Sequence, residues 1–205
     1  MRKLHQLFPS TIYQTRILPT HHKLNTELLK ECRKFSEIDQ QGIAWSKKNY
    51  AGGYTSYGSL SKMYQISPYF DDLKKLIDRQ VHQYIKDLEM DCKPKDIQMC
   101  SLWINVMPKG TTHTMHIHPL SVISGTYYLQ IPKDTRGLKF EDPRMVNFMA
   151  SPPRKVKASR NNQRFIEMTP HVGEIILFES WIRHEVPPNP SKTDRISISF
   201  NYDWV

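Results

Sequence analysis

The stretch Arg195-Ile196-Ser197-Ile198-Ser199-Phe200-Asn201-Tyr202 leaves the chain few folds to choose from. Read as an extended strand, it puts Ile196, Ile198, Phe200 and Tyr202 on one face and Arg195, Ser197, Ser199 and Asn201 on the other, because strand side chains alternate. A central strand cannot bury four polar side chains on one face unless they find partners. That face must therefore line a wet pocket while the apolar face packs beneath another layer. The same parity in residues 125–131 places Thr126, Tyr128 and Gln130 on the pocket side, opposite Tyr127, Leu129 and Ile131.

The period of two begins after Pro94. Gln98, Cys100, Leu102, Ile104 and Val106 alternate with Met99, Ser101, Trp103 and Asn105, giving a greasy face and a mixed face. Further strands are expected at residues 125–131, 138–141, 164–168, 174–178 and 195–204, spaced by turn residues as in a sandwich or barrel. Upstream, Leu28, Leu29, Cys32 and Phe35 predict a helix over residues 25–36, with Asn25 or Thr26 as N-cap. Residues 42–66 show no clear period and read as irregular loop with short strands. Ser67-Pro68, then Asp71 and Asp72, open a second helix over residues 68–90, whose stripe includes Leu73, Leu76, Ile77, Tyr84, Ile85 and Leu88. Two helices followed by a run of short strands predict a mainly β, α+β fold: a double-sheet jelly roll with helices packed outside its larger sheet.

No Gly/Ser-rich or charged linker divides the 205 residues, so one domain is expected, residues 1–94 supporting a β core of residues 95–205. A chain of this size buries about 70% of its unfolded surface and needs no disulfide to fold. Cys32, Cys92 and Cys100 are odd in number and lack C-x-x-C spacing, which predicts free thiols and a reducing, cytoplasmic setting. There is no apolar run of membrane-spanning length and no leader-like apolar core near the start, so no membrane partner is expected. The net charge of +9 favours anionic partners: small carboxylates, nucleic acid or an acidic protein. Between Asp142 and Arg164 the segment carries Arg154, Lys155, Lys157 and Arg160 with no acid, and reads as a substrate lid, an anion-binding arm or a solvated loop. Its like charges and Pro152-Pro153 make residues 143–163 the expected least ordered internal segment. Its basic stretch, residues 154–164, fits nucleic acid in charge alone, since no aromatic residue interleaves it except Phe165. A homodimer is compatible with the sequence, which holds no feature that decides it.

The chemistry lies in Thr112-His113-Thr114-Met115-His116-Ile117-His118-Pro119, with three of the chain's nine histidines. In an extended chain His116 and His118 share a face, with Cα atoms roughly 6.5 Å apart, and Ile117 points away. Two imidazoles so placed make a metal clamp; the alternative is a solvated polar loop. His113 has the opposite parity and stays on the far face unless the strand bulges before it. His184 follows an apolar strand and precedes a turn, with Arg195 eleven residues beyond it.

His116-Ile117-His118, then His184, then Arg195-Ile196-Ser197 resemble the signature of the Fe(II)/2-oxoglutarate-dependent dioxygenases of the double-stranded β-helix fold. That signature is His-x-Asp/Glu, a distal His, and an Arg beyond it, often as Arg-x-Ser. Ser124-Gly125-Thr126-Tyr127-Tyr128-Leu129 and the terminal strand also resemble a branch of oxygenases found in bacteria and phages; the likeness covers about residues 97–204. It implies that His116 and His184 ligate iron, with His118 where the carboxylate belongs. It implies that Arg195 grips the distal carboxylate of 2-oxoglutarate, assisted by Ser197, with Tyr128 on the same carboxylate and Asn105 a further hydrogen-bonding candidate. Fe(II), 2-oxoglutarate and O₂ would then hydroxylate a C–H bond of a small molecule or a protein side chain.

Three imidazoles leave the site one charge more positive than two and a carboxylate. Some cupin-like three-histidine enzymes work without 2-oxoglutarate, which is one alternative. The other is a non-catalytic jelly roll binding sugar or protein in a cleft lined by Trp103 and Tyr128. Rival ligands are His113 and Asp142, although an Asp before Pro ordinarily starts a turn. Three free imidazoles would compete with protons from about pH 6.5 downward.

Overall fold

The computed structural model describes residues 2–144 and 149–205. In chain order its elements are β1 (Ile12–Arg16), α1 (Lys23–Ile38), α2 (Gln40–Asn49), β2 (Tyr54–Thr55), α3 (Pro68–Asp87), β3 (Ile97–Met107), β4 (His113–His116), β5 (Ile123–Gln130), β6 (Leu138–Glu141), β7 (Phe165–Met168), β8 (Glu174–Glu179), β9 (His184–Val186) and β10 (Arg195–Trp204). Two sheets form, a larger one in the order β1-β8-β5-β10-β3-β2 and a smaller one in the order β4-β9-β6-β7, and every pairing is antiparallel. From β3 onward the chain crosses repeatedly between the sheets, which makes the expected jelly roll.

The helices follow from local chemistry. His22 caps α1, its Nδ1 accepting from the Leu24 amide at 3.1 Å. Asn25, expected as the cap, is instead buried and takes the Tyr127 hydroxyl, tying α1 to β5. Pro68 opens α3 as expected, but Ser67 makes no cap bond and donates to Glu31. Helix α2 lies where an irregular loop was expected. It has no continuous apolar stripe to reveal its period; Asp39 secures its start by accepting from the Gly42 amide at 2.9 Å, and the Ser46 hydroxyl bonds the backbone of Thr55.

The apolar face of β10 enters the main core as predicted: Ile196, Ile198 and Phe200 pack with Leu102, Ile104 and Leu177 beneath Phe70, Leu73 and Ile77 of α3. A smaller core between the sheets holds Tyr128, Leu138, Phe140, Ile176, Phe178 and Ile182. Two ladder irregularities adjust the predicted faces. Against β5, Ile196 faces Gln130 while Ser197 faces Tyr128, so Leu129 is an extra residue and parity reverses beyond it. Gln130 therefore turns to α1, accepting from Arg33 at 3.0 Å, and Ile131 joins the inter-sheet core, the opposite of the sequence expectation. Against β3 the break after Asn201 leaves Cys100 extra, which moves Ile97 and Met99 into the main core and leaves Gln98 exposed.

The segment 143–163 falls partly on residues 145–148, outside the described ones; residues 152–157 are exposed, and Arg160–Asn162 makes one 3₁₀ turn. Cys32, Cys92 and Cys100 are free, and among the described residues no helix is long and apolar enough to cross a membrane.

Gly125 marks a close approach within this packing. A Cβ there would lie 2.6 Å from the Phe200 ring and 2.7 Å from Leu177 Cδ2. Gly125→Ala is expected to destabilise by about 1–3 kcal/mol through overpacking. Urea titration should show a lower midpoint at unchanged slope; an unchanged midpoint would mean that the two neighbours yield freely.

Candidate metal centre

Strands β4 and β9 pair His116 directly opposite His184. His118 lies beyond the end of β4, where its amide donates to Ser180 O at 3.0 Å. The three rings converge: centroids are 4.3 Å apart for His116 and His184, 5.2 Å for His116 and His118, and 5.1 Å for His118 and His184. One nitrogen from each lies within 4.8 Å of those of the other two. Among the described residues no carboxylate joins them.

The hydrogen bonds fix which nitrogen faces inward. His116 Nδ1 lies 2.6 Å from Thr114 O, His184 Nδ1 2.9 Å from Ile182 O, and His118 Nδ1 2.6 Å from Asn201 Oδ1. All three partners accept, so each Nδ1 carries the proton and each Nε2 keeps its lone pair. His118 Nε2 is buried without a hydrogen-bond partner. A buried acceptor left unpaired beside two more of its kind fits a divalent cation, and the donor set suits Fe(II) or Zn(II).

Burial, reinforced by the other rings, pushes the histidines toward their neutral, ligating forms. The pKa of His118 falls to about 4 and that of His113 to about 3, while His116 and His184 are also lowered. Proton competition therefore sets in well below the pH 6.5 expected for free imidazoles. His113 reaches the cavity because the ladder is irregular between it and His116, but it stacks on Tyr50 at 4.3 Å and stands outside the cluster. Asp142 is engaged by Arg144, at 2.6 Å to Nη2 and 2.9 Å to Nε, and neighbouring Glu141 by Arg164 and Arg183. Neither rival ligand stands with the three histidines.

The cavity beside them, of about 280 Å³, is walled by Trp45, Tyr57 and Trp103, and among the described residues no Asp, Glu, Lys or Arg lines it. The aromatics form an edge-to-face series, 6.1 Å from Trp45 to Tyr57 and 5.1 Å on to Trp103, from a Tyr57 that is 52% exposed to a Trp103 beside His118. Thr126, Ser199, Asn201 and Asn105 supply its polar wall, as the alternation predicted. Asn105 Nδ2 donates to Ser199 at 3.0 Å and its Oδ1 is buried without a partner.

Arg195, Ser197 and Tyr128 are buried just beyond that lining. Ser197 faces Asn105 on one side and Tyr128 on the other, and the Arg195 guanidinium sits 5.4 Å from the Tyr128 ring. Arg195, 1% exposed, gives one hydrogen bond to Arg136 O at 2.8 Å and leaves Nε without a partner. The hydroxyls of Tyr128 and Tyr50 are likewise unpartnered, and Tyr50 feels the Arg195 charge. Buried donors gathered without an acceptor call for an anion. Tyr50, Trp45 and Tyr57 escaped the sequence reading, since they lie in the stretch without a period. Asn201 was placed on the pocket face, but nothing local marks it as the partner of His118.

Residues 101–201 match a family described as "Putative 2OG-Fe(II) oxygenase". The fold is shared with HygX from Streptomyces hygroscopicus, solved with nickel and 2-oxoglutarate bound (TM-score 0.64, 12% identity, covering 96% of this chain and 84% of that one). It is shared too with the viral collagen prolyl hydroxylase vCPH from Paramecium Bursaria Chlorella virus-1 in its 2OG complex (TM-score 0.60, 11% identity, 95% and 96% covered). A prolyl-4-hydroxylase from Pseudomonas putida is similar as well (TM-score 0.57, 18% identity, 96% and 94% covered). At these identities the likeness is one of fold. Among curated proteins, none matches the sequence.

The lowered histidine pKa values predict acid sensitivity of the metal-free protein. In the unfolded chain a histidine binds its proton near pH 6.5, whereas His118 in the fold resists down to about pH 4. Between those limits the unfolded state holds more protons, so stability falls as pH falls, by up to about 1.4 kcal/mol per pH unit per histidine, and none of this is lost above pH 7. The urea midpoint of chelator-treated protein should drop from pH 7 to pH 5, and His118→Asn should reduce the drop. Equal slopes for parent and variant would show that His118 titrates normally in the fold.

Proposed function

Through residues 101–201 the chain belongs to the 2OG-Fe(II) oxygenase family, whose members depend on Fe(II), 2-oxoglutarate and O₂, and we propose that His116, His118 and His184 hold its iron while Arg195 holds its cosubstrate. The observation that carries this reading is the convergence of three imidazoles whose Nδ1 protons are all taken up elsewhere. Fe(II) bound there supplies coupled oxidation of 2-oxoglutarate and substrate by O₂, yielding succinate, CO₂ and a hydroxylated C–H position.

The chain's own residues bind and orient. Three neutral ligands leave the metal charge uncompensated, which favours an anionic cosubstrate. Arg195, with the Tyr128 hydroxyl and assisted by Ser197, supplies the buried donors for its far carboxylate, and Asn105 offers a further polar contact from the cavity wall. Phe178 and Leu138 close the inter-sheet side of the cavity against water. The uncharged aromatic approach through Trp45, Tyr57 and Trp103 admits an uncharged substrate group. Residues 1–94 and 95–205 act as one unit on this reading, and three free thiols suit a cytoplasmic setting. The surplus positive charge steers the cosubstrate rather than nucleic acid, because Phe165 is already engaged by Lys139 at 4.2 Å and Arg164 at 5.1 Å.

A second reading, a three-histidine metalloenzyme that does without 2-oxoglutarate, is favoured by one observation: Arg195, Ser197 and Tyr128 are absent from the cavity lining. Succinate release in the presence of Fe(II), 2-oxoglutarate and O₂ separates the two. Arg195→Met should weaken 2-oxoglutarate binding by about 2–5 kcal/mol, the usual cost of breaking a buried charged pair, while the metal stays bound. Anaerobic titration followed by the weak visible band of the Fe(II) chelate measures this. Binding equal to the parent's would favour the second reading.

A further inference from the structure

The three histidines are not oriented alike. His116 and His184 each give Nδ1–H to a backbone carbonyl two residues earlier, so the chain just before each ring holds it. His118 lies past the end of β4 and has no such carbonyl; its ring is held by a side chain from the last strand, Asn201, at 2.6 Å. We propose that Asn201 is a positioning residue that sets the tautomer and aim of His118, an inference that rests on His118 being a metal ligand.

The surrounding hydrogen bonds run in one direction. Ser124, the Cα partner of Asn201 across the β5–β10 ladder, donates its only hydroxyl proton to Asn201 Oδ1 at 2.8 Å. The contact at 2.7 Å between Ser124 and Ser180 must then be a donation from Ser180. The Ser180 backbone carbonyl takes the amide proton of His118 at 3.0 Å, which closes the ring. Ser124 and Ser180 are fully buried and Asn201 is 8% exposed, so water offers little substitute. Two donors meet at Asn201 Oδ1, and an inverted amide would turn its NH₂ toward both of them. With the oxygen toward His118, Nδ1 carries the proton and Nε2 is left to the ion. The partner is also uncharged: with Thr114 O and Ile182 O it completes a set of neutral acceptors, and among the described residues no carboxylate takes an Nδ1 proton of the three rings.

The test uses Co(II) alone as probe on the full chain, with affinity measured by chelator competition and ligation by the visible spectrum. Asn201→Leu should lower Co(II) affinity by about 10–100-fold, as loss of an outer partner does, and give the spectrum of His118→Ala. Asn201→Asp, which keeps an oxygen acceptor, should stay within about threefold of the parent or bind more tightly. In the His118→Ala background Asn201→Leu should add nothing. A merely structural Asn201 would lower the melting temperature and leave affinity and spectrum unmoved, and that result overturns the inference. If Asn201→Leu does not fold, Ser124→Ala serves: a several-fold loss supports the inference, and parent-like affinity overturns it. Failure of the ligand reading looks different, since His118→Ala would then bind Co(II) as the parent does.

Discussion

The site depends on the placement of three protons. Each imidazole of the cluster could in principle present either nitrogen, and one wrong tautomer would point an N–H at the ion. The fold removes the choice by setting an acceptor against every Nδ1: two backbone carbonyls, each two residues before its histidine, and one amide oxygen from β10. Much of the architecture serves that placement. The β4–β9 ladder brings His116 opposite His184, and the turn after β8 anchors the backbone of His118 through Ser180.

The electrostatics follow from the neutrality of these groups. Among the described residues Glu185, next to His184, is held by Lys139, and the rival Asp142 and its neighbour Glu141 are engaged by Arg144, Arg164 and Arg183. No described residue of the cavity wall carries a negative charge, and buried Arg195 adds a positive one that further disfavours protonation of His113. With an ion on the three histidines as proposed, two positive centres would flank the unpaired donors, an arrangement that favours a bridging dicarboxylate. With His118 as proposed in the place of the usual carboxylate ligand, charge balance would shift from protein to cosubstrate, and the buried arginine would matter more rather than less.

How legible this was in the sequence varied by kind of interaction. The alternation of Ile196, Ile198, Phe200 and Tyr202 against Arg195, Ser197, Ser199 and Asn201 is a local property, and both faces stand where parity puts them. The convergence of His116 with His118 was readable for the same reason. Bulges were not: nothing at Leu129 or Cys100 announces an extra residue, because a bulge is set by how two strands share a twist. One such residue turned Gln130 to α1, and an irregularity in β4 brought His113 onto the cavity. Helix α2 was hidden because Asp39 and Ser46 hold it by capping and tertiary bonds rather than by an apolar stripe, and with it went Trp45 and Tyr50.

A single strand carries most of the resulting division of labour. Along β10, Arg195 lies at the closed end among unpartnered hydroxyls, Ser197 between Asn105 and Tyr128, Ser199 on the cavity wall, and Asn201 against His118. These four share a face only while the register holds, since a slip of one residue would send every one of them into the apolar core. That register is pinned by neighbours on both sides, β3 and β5, and by Tyr202, whose hydroxyl reaches Asp78 of α3 at 2.6 Å. Helices α1 and α3 therefore serve the histidine cluster without lining its cavity: by clamping the apolar face of β10 they fix which way its polar face looks.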